Sequence, residues 1–296
     1  MRRIHFADDL VVWAPAKVNL YLEVHGKRPD GYHEIATLMV AIRLFDTLVF
    51  KEEPDGLLQL GCNHAELSIG PDNLVLRAAR LLQERTGRQR GASIRLVKRI
   101  PMAAGLAGGS TDAAATLWGL NRLWNLGLTR DELAKLGGEL GSDVPFFFHT
   151  PAAWCTGRGE IVTPVPMGKP LDLVLLCPPL GCPTAEVYRR VQVPAVPESG
   201  EAIRRALAGG DVEEMGRRLF NRLQPAAEKF APPIASYYRL LAQRGPAGQL
   251  MSGSGSSLFA LCRSRAEARR LAHELSHGIE RDGRNSFAAF VVRSCR

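Results

Sequence analysis

The segment Pro101-Met-Ala-Ala-Gly-Leu-Ala-Gly-Gly-Ser-Thr-Asp-Ala-Ala114 places a run of small residues after a strand-like stretch and before a helical one. Residues this small let a backbone approach a ligand closely. The helix start that follows aims unsatisfied N–H groups and a positive dipole end at the same place, which favours phosphate. Ser110 and Thr111 add hydroxyls suited to an anion or a magnesium ion. No Gly-Lys-Ser/Thr ends the loop, so it is not a Walker loop, and Gly105-Leu-Ala-Gly108 does not have the G-x-G-x-x-G spacing. Plain helix-on-sheet packing with Ser110 as a cap is the alternative. The coincidence of long loop, two hydroxyls and helix start favours phosphate.

Four further groups carry chemistry-bearing residues. Ser252-Gly-Ser-Gly-Ser-Ser257 is a second glycine turn, able to close backbone amides over phosphate oxygens or to act as a hairpin only. Asp143, in Gly141-Ser-Asp-Val-Pro-Phe-Phe-Phe148, is a carboxylate beside three phenylalanines. Partial desolvation there suits a general base; a helix-start carboxylate before Pro145 is the other reading. Lys17, one of only seven lysines, lies between strand-like segments, either to neutralise charge on a reacting oxygen or as a surface lysine. His273-Glu-Leu-Ser-His277 matches the H-E-x-x-H zinc signature. However, Leu271, Ala272, Leu275 and Ile279 form the apolar stripe of that helix. Both histidines fall on its polar side, and only Glu280 and Asp282 stand nearby as a third ligand. They read as solvated histidines, and no dedicated metal site is expected.

The elements that must hold these groups follow from periodicity. Leu10–Trp13, Val18–Val24, Ile35–Ile42 and Thr47–Lys51 read as strands separated by Gly, Pro and Asp. Asp72 or Asn73 caps a helix that stops near Gly87, and Ala92–Lys98 alternates as a strand. A second helix starts near Gly109 or Ser110 and stops at Gly127. Thr129 with Glu132 forms a capping box for a third helix, ending near Leu140. Three prolines and a glycine between Thr163 and Pro170 mark the expected domain boundary, giving domains 1–165 and 166–296. Beyond it come a buried strand at Leu171–Cys177, helical segments up to Gln243, and then Gln249–Met251, Leu258–Cys262, Ala266–His277 and Phe287–Arg293 as strand, strand, helix and strand. This order predicts an α+β fold of two domains rather than one doubly wound sheet.

Composition bounds the function. The chain has 296 residues, 46% hydrophobic and 23% charged, so it is long enough to bury a core without disulfides. Its six cysteines form no CxxC pair, no apolar run approaches a membrane span, and no export signal precedes Asp8 and Asp9; a cytoplasmic location is expected. The net charge of +8 rests on 31 Arg against 7 Lys. It is densest at Arg77, Arg80, Arg85, Arg88, Arg90, Arg95, Lys98 and Arg99, where only Glu84 opposes it. Either an anionic partner or a solvated face explains such a run, and the absence of interleaved aromatics argues against a base-stacking nucleic-acid surface.

Pro15-Ala-Lys-Val-Asn-Leu20, Pro101 to Ala114 and Met251-Ser-Gly-Ser-Gly-Ser256 resemble, in order, the three motifs of the GHMP kinase superfamily. Arg28-Pro-Asp-Gly-Tyr-His-Glu34, Asp72-Asn-Leu-Val-Leu-Arg-Ala78 and Gly141-Ser-Asp-Val-Pro-Phe146 are similar to the branch that acts on a cytidine-diphosphate methylerythritol. The resemblance runs from about Ala14 to the last strand. It implies an α+β kinase of two domains, each a mixed or antiparallel sheet packed with helices, with its active site in the cleft between them. It also implies ATP and Mg2+, transfer of the γ-phosphate to the 2-hydroxyl, and a place in isoprenoid precursor synthesis.

Carried over by position, Asp143 is the base and Lys17 its polarising partner. Pro101, Ala103, Ala104, Gly105, Leu106, Ala107, Gly108, Gly109, Ser110 and Thr111 form the triphosphate loop, and Asn73, Leu74 and Lys98 lie on the adenosine side. Asn19, Tyr32, His33, Thr184, Tyr188, Gly253, Ser254 and Gly255 serve the acceptor, with Tyr32 and His33 holding cytosine. Ala103 and Ala107 stand where many members have glycine. The rival expectations are a homoserine- or mevalonate-type kinase, whose substrates have no base to stack; a nucleic-acid binder, which needs no ATP; and a zinc hydrolase.

Overall fold

The computed structural model describes residues 2–6, 9–87, 90–282 and 287–296, without the side chains of residues 2–6 and 277–282. In chain order the elements begin with β1 (Arg2–Phe6), β2 (Asp9–Lys27), β3 (His33–Glu53), β4 (Leu58–Cys62), α1 (Leu74–Thr86), β5 (Gly91–Val97), α2 (Gly108–Leu123) and α3 (Arg130–Leu140). A 3-10 turn (Pro145–Phe148), β6 (Ala152–Thr156), β7 (Ile161–Pro164), β8 (Asp172–Cys177), α4 (Thr184–Arg190), α5 (Glu201–Gly209) and α6 (Val212–Arg218) follow. The last are β9 (Phe220–Asn221), α7 (Gln224–Phe230), α8 (Pro233–Ala242), β10 (Gly248–Met251), β11 (Leu258–Cys262), α9 (Arg265–Asp282) and β12 (Ala288–Arg293).

The chain forms two compact units. Unit one comprises Met1–Ala16, Leu44–Pro101 and Ala107–His149; unit two comprises Lys17–Arg43, Met102–Leu106 and Thr150–Arg296. The stretch 163–170, expected as the boundary, lies inside unit two. There β7 pairs with β6, and Gly168 N donates to Leu207 O at 2.9 Å. Each of β2 and β3 is one long strand where two shorter ones were expected, because neither Pro15 nor Asp46 interrupts it.

In unit one, the later part of β3 pairs antiparallel with β5, and β4 lies parallel to β5. Helices α1, α2 and α3 pack together. Helix α1 starts where Asn73 Oδ1 accepts Val75 N–H at 2.9 Å and stops at Gly87, whose φ of 64° is left-handed. Both halves of the Thr129–Glu132 capping box form at α3. Phe50 is fully buried against α2, where a Cβ on Gly119 would lie 2.7 Å from its ring.

In unit two, the early part of β3 pairs with β6, and β2 pairs in parallel with β9. A separate antiparallel sheet runs in the order β10-β11-β8-β12. Val174 and Leu176 of β8, and Leu258 and Ala260 of β11, form a core with Ile234, Leu241, Leu271 and Leu275 from α8 and α9. This is the α+β organisation expected. Among the described residues no helix is long and apolar enough to cross a membrane.

Candidate active site

In unit two, Lys17 is 3% exposed, at a point where β2 meets the loop 102–106. Its backbone N–H donates to Leu106 O at 3.1 Å, and its Nζ donates to Asn19 Oδ1 at 2.7 Å and Gly105 O at 3.0 Å. Asn19 is oriented by its other end: Nδ2 donates to Thr37 Oγ1 at 2.8 Å, and that hydroxyl donates to Tyr21 O at 2.6 Å. The lysine is therefore held at its tip by groups that are themselves fixed.

The glycine turn 252–257 lies against the same loop. Ser252 Oγ donates to Gly105 O at 2.9 Å, and Ser257 N donates to Ala104 O at 3.2 Å. A Cβ on Gly105 would fall 2.0 Å from Ser252 O, and one on Gly253 would fall 3.2 Å from Lys17 Nζ. The glycines are what let two loops and an ammonium share this space. Ser254 Oγ lies 3.0 Å from Thr184 Oγ1, which places both hydroxyls together. Asn221, absent from the expected residues, fixes the turn by donating Nδ2 to Met251 O and Gly253 O at 2.8 Å each. Its partners lie 30 and 32 residues away, so no local pattern announces it.

In unit one, α2 begins with a left-handed Ala107 (φ 55°) and no side-chain cap. Ser110 is thus inside the helix rather than capping it, and among the described residues no cap side chain accepts the first N–H groups. Thr111 is fully buried, and its Oγ1 has no hydrogen-bond partner among the described residues. A Cβ on Gly109 would lie 3.4 Å from Leu74 Cδ1, so Leu74 borders this turn. Asn73 commits its amide to the cap of α1 and to Ser68 O at 2.6 Å.

Lys98, expected on the adenosine side, is only 8% exposed, and its ammonium is engaged elsewhere. Nζ donates to Asp46 Oδ2 and Asp112 Oδ2, both at 2.6 Å, directly beneath Gly108, where a Cβ would be 2.9 Å from Nζ. Asp46 Oδ1 also accepts the N–H groups of Arg99 and Ile100 at 2.6 and 2.9 Å. Burial pushes the Asp112 carboxyl up to about 8, against the pull of Lys98. Lys98 stays above its ordinary value: burial works to lower it, and the two carboxylates outweigh that.

Asp143 is half-buried in the turn before the 3-10 segment, one residue ahead of Val144, whose backbone rather than Asp143 caps it. Phe146, Phe147 and Phe148 are buried behind it. In unit two, His33 and Tyr188 pack with ring centroids 5.1 Å apart, and burial, then Lys27, lowers the His33 pKa. Tyr32 is 52% exposed, with the Arg158 guanidinium 4.7 Å from its ring centre. A concavity of about 550 Å³, lined by Tyr21, Trp154 and Arg204 among others, contains none of the expected residues.

The zinc reading gains no support. His273 is exposed, Leu271 and Leu275 are buried, and the side chain of His277 lies outside the described residues, as do those of Glu280 and Asp282. The arginine-rich run meets acids from distant segments: Arg85 pairs with Glu139 at 2.6 Å and Arg90 with Glu52 at 3.2 Å, while Arg88 lies outside the described residues.

A glycine-lined loop leading into an uncapped helix, with a buried lysine and a second glycine turn, on this α+β fold, defines a GHMP kinase. The family patterns described as "GHMP kinases N terminal domain" and "GHMP kinases C terminal" match residues 73–150 and 201–280. The chain is 44% identical to the 4-diphosphocytidyl-2-C-methyl-D-erythritol kinase of Symbiobacterium thermophilum, over 94% of this chain and 97% of that one. It is 44% identical to the enzyme of that name from Pelotomaculum thermopropionicum, over 88% and 91%. A crystal structure of 4-(cytidine 5'-diphospho)-2C-methyl-D-erythritol kinase superposes with a TM-score of 0.79 at 36% identity, covering 97% of this chain and all of that one. The chain belongs to the 4-diphosphocytidyl-2-C-methyl-D-erythritol kinase family.

Proposed function

We propose that this protein transfers the γ-phosphate of ATP to the 2-hydroxyl of 4-diphosphocytidyl-2-C-methyl-D-erythritol, in the cytoplasm, on the methylerythritol phosphate route to isoprenoid precursors. The observation that carries the reading is the 44% identity extending over 94% of the chain to a kinase of that name. The local geometry supports it. Phosphoryl transfer needs positioning and charge neutralisation more than covalent chemistry. The loop from Pro101 to Ala107 and the uncapped N–H groups of Gly108, Gly109 and Ser110 suit a triphosphate. Leu74, beside that helix turn, suits the adenosine, and Asn73 acts through the cap that positions it.

Asp143 accepts the proton of the acceptor hydroxyl, and Lys17, aligned by Asn19, stabilises the charge that develops on that oxygen. Magnesium, when carried in with ATP, would neutralise phosphate charge. The buried Thr111 hydroxyl, without a hydrogen-bond partner among the described residues, and the neighbouring Ser110 fit its oxygen-only preference. Tyr32, His33 and Tyr188 hold the cytosine, while Thr184, Gly253, Ser254 and Gly255 line the acceptor side.

The test is ADP release with Mg-ATP and each of four acceptors: 4-diphosphocytidyl-2-C-methyl-D-erythritol, homoserine, mevalonate and unconjugated methylerythritol phosphate. Turnover confined to the cytidine conjugate is expected. Turnover with homoserine or mevalonate instead keeps the kinase and removes the substrate; no ADP from any acceptor removes the reaction.

A further inference from the structure

We propose that Arg158 is a positioning residue of the acceptor site, fixing the Tyr32 ring as a stacking surface for the cytosine of a cytidine diphosphate. The proposal rests on the cytidine reading of Tyr32 and His33. Tyr32 stands on a tight turn whose backbone is fully tied: its N–H donates to Asp30 Oδ1 at 3.1 Å, and its carbonyl accepts Arg28 N–H at 2.8 Å. Its side chain is not tied in this way. The neighbouring His33 ring is turned to Tyr188, and the Tyr32 ring is 52% exposed.

Arg158 supplies what is missing. The turn between β6 and β7 is anchored to the start of β3 by Ile35 N donating to Gly157 O at 2.8 Å and Gly157 N donating to Glu34 Oε1 at 3.1 Å. That pair of bonds delivers residue 158 beside Tyr32 whatever its side chain. Glu160 then accepts Arg158 N–H at 2.6 Å and its Nε more loosely at 3.5 Å, and the guanidinium settles 4.7 Å from the tyrosine ring centre. A planar cation on a ring face is attracted to its quadrupole and biases the orientation of an otherwise exposed side chain. One face of Tyr32 is thereby backed, and the ring is preorganised to stack a base on the other. The neighbouring cation Arg28 instead bonds Asp30 and Glu34.

The experiment is a double-mutant cycle on the full-length enzyme with Mg-ATP and 4-diphosphocytidyl-2-C-methyl-D-erythritol. Arg158→Ala is expected to raise KM for this acceptor roughly two- to five-fold, the change falling on KM rather than kcat and sparing KM for ATP. In a Tyr32→Ala background the same substitution is expected to add nothing. Arg158→Lys, which keeps the charge but not the plane, restores only part of the loss. Equal factors in both backgrounds mean that Arg158 meets the substrate phosphates by itself and overturn the proposal, as do an unchanged KM in Arg158→Ala and full rescue by lysine. Tyr32→Ala that leaves the acceptor KM unaltered removes the cytidine reading beneath it, a separate failure seen in a separate variant.

Discussion

Lys98 Nζ donates to Asp112 Oδ2 at 2.6 Å under the first turn of α2, joining the residue after β5 to the helix that follows the 101–107 loop. With Asp46 on its other side, the ammonium is a buried pin between two acidic side chains. Lys98→Met leaves two buried carboxylates without a counter-ion, a loss of about 3–5 kcal/mol where both stay charged. Asp112, raised to about 8, already holds its proton at neutral pH, and Asp46 keeps its two N–H donors, so the lower end of that range is expected. Urea unfolding of the variant measures it; a loss under about 1 kcal/mol means that the pin is dispensable.

The same cluster fixes a pH dependence. The Asp112 carboxyl, raised by burial to about 8 in the fold, has an ordinary value near 4 when unfolded. Between those limits the folded state binds the extra proton, so rising pH withdraws stability, fully present below about 4 and gone above about 8. Asp112→Asn cannot titrate. Its stability relative to the wild type is expected to improve steadily from pH 5 to pH 8, and a difference that stays flat across that range contradicts the assignment.

Asp143→Asn is expected to lower kcat by about 10²–10⁴-fold, the usual worth of a positioned general base, with ATP affinity little changed. The substitution preserves the shape of the turn ahead of the buried Phe146–Phe148, so ADP release under saturating acceptor isolates the proton transfer. Wild-type turnover in this variant removes Asp143 from the chemistry.

Thr37 acts on Lys17 through Asn19. Thr37→Val removes the acceptor for Asn19 Nδ2 and leaves that buried donor unpaired, at a cost of about 1–3 kcal/mol. It also frees the amide to turn its oxygen away from Lys17. Both stability and kcat are expected to fall, the latter by about ten-fold from lost alignment. Thr37→Ser, which keeps the hydroxyl, is expected to recover kcat; a serine variant as slow as the valine one points to packing instead.

Local signals in the sequence were read where the physics is local. The Asn73 cap, the Gly87 stop and the Thr129–Glu132 box each form within a few residues, and all three stand as expected. Pro15 and Asp46 misled because punctuation is a property of isolated strands. Asp46 sits inside β3, where its carboxylate is fully employed by Lys98, Arg99 and Ile100 from another segment. Asn221, Thr37 and Arg158 were invisible for the same reason: their partners are 30 and 32, 18 and 126 positions away in the chain. The buried pairing of Lys98 with Asp46, 52 residues earlier, is likewise announced by nothing in its neighbourhood.

Ala103 and Ala107 have φ of 50° and 55°, in the left-handed region that L-residues avoid, which accounts physically for glycine at such positions. Holding a side chain there costs about 1–2 kcal/mol per residue, whereas glycine gives back about 0.5–1 kcal/mol through the entropy of its unfolded chain. The first effect is the larger, so Ala103→Gly and Ala107→Gly are each expected to stabilise the fold slightly, by about 0.5 kcal/mol, against the usual penalty for introducing glycine. Gly105→Ala is the opposite case in the same loop. Its φ is 72°, and its new Cβ would fall 2.0 Å from the backbone oxygen of Ser252, which no rotamer relieves. Either the loop, whose Gly105 O accepts Lys17 Nζ, or the 252–257 turn, whose Gly253 lies close to that ammonium, must move. A loss of several kcal/mol, or a folded protein with little activity, is expected for Gly105→Ala. Thermal midpoints of the three variants rank the effects, and a destabilised Ala107→Gly alongside a tolerated Gly105→Ala reverses the account of this loop.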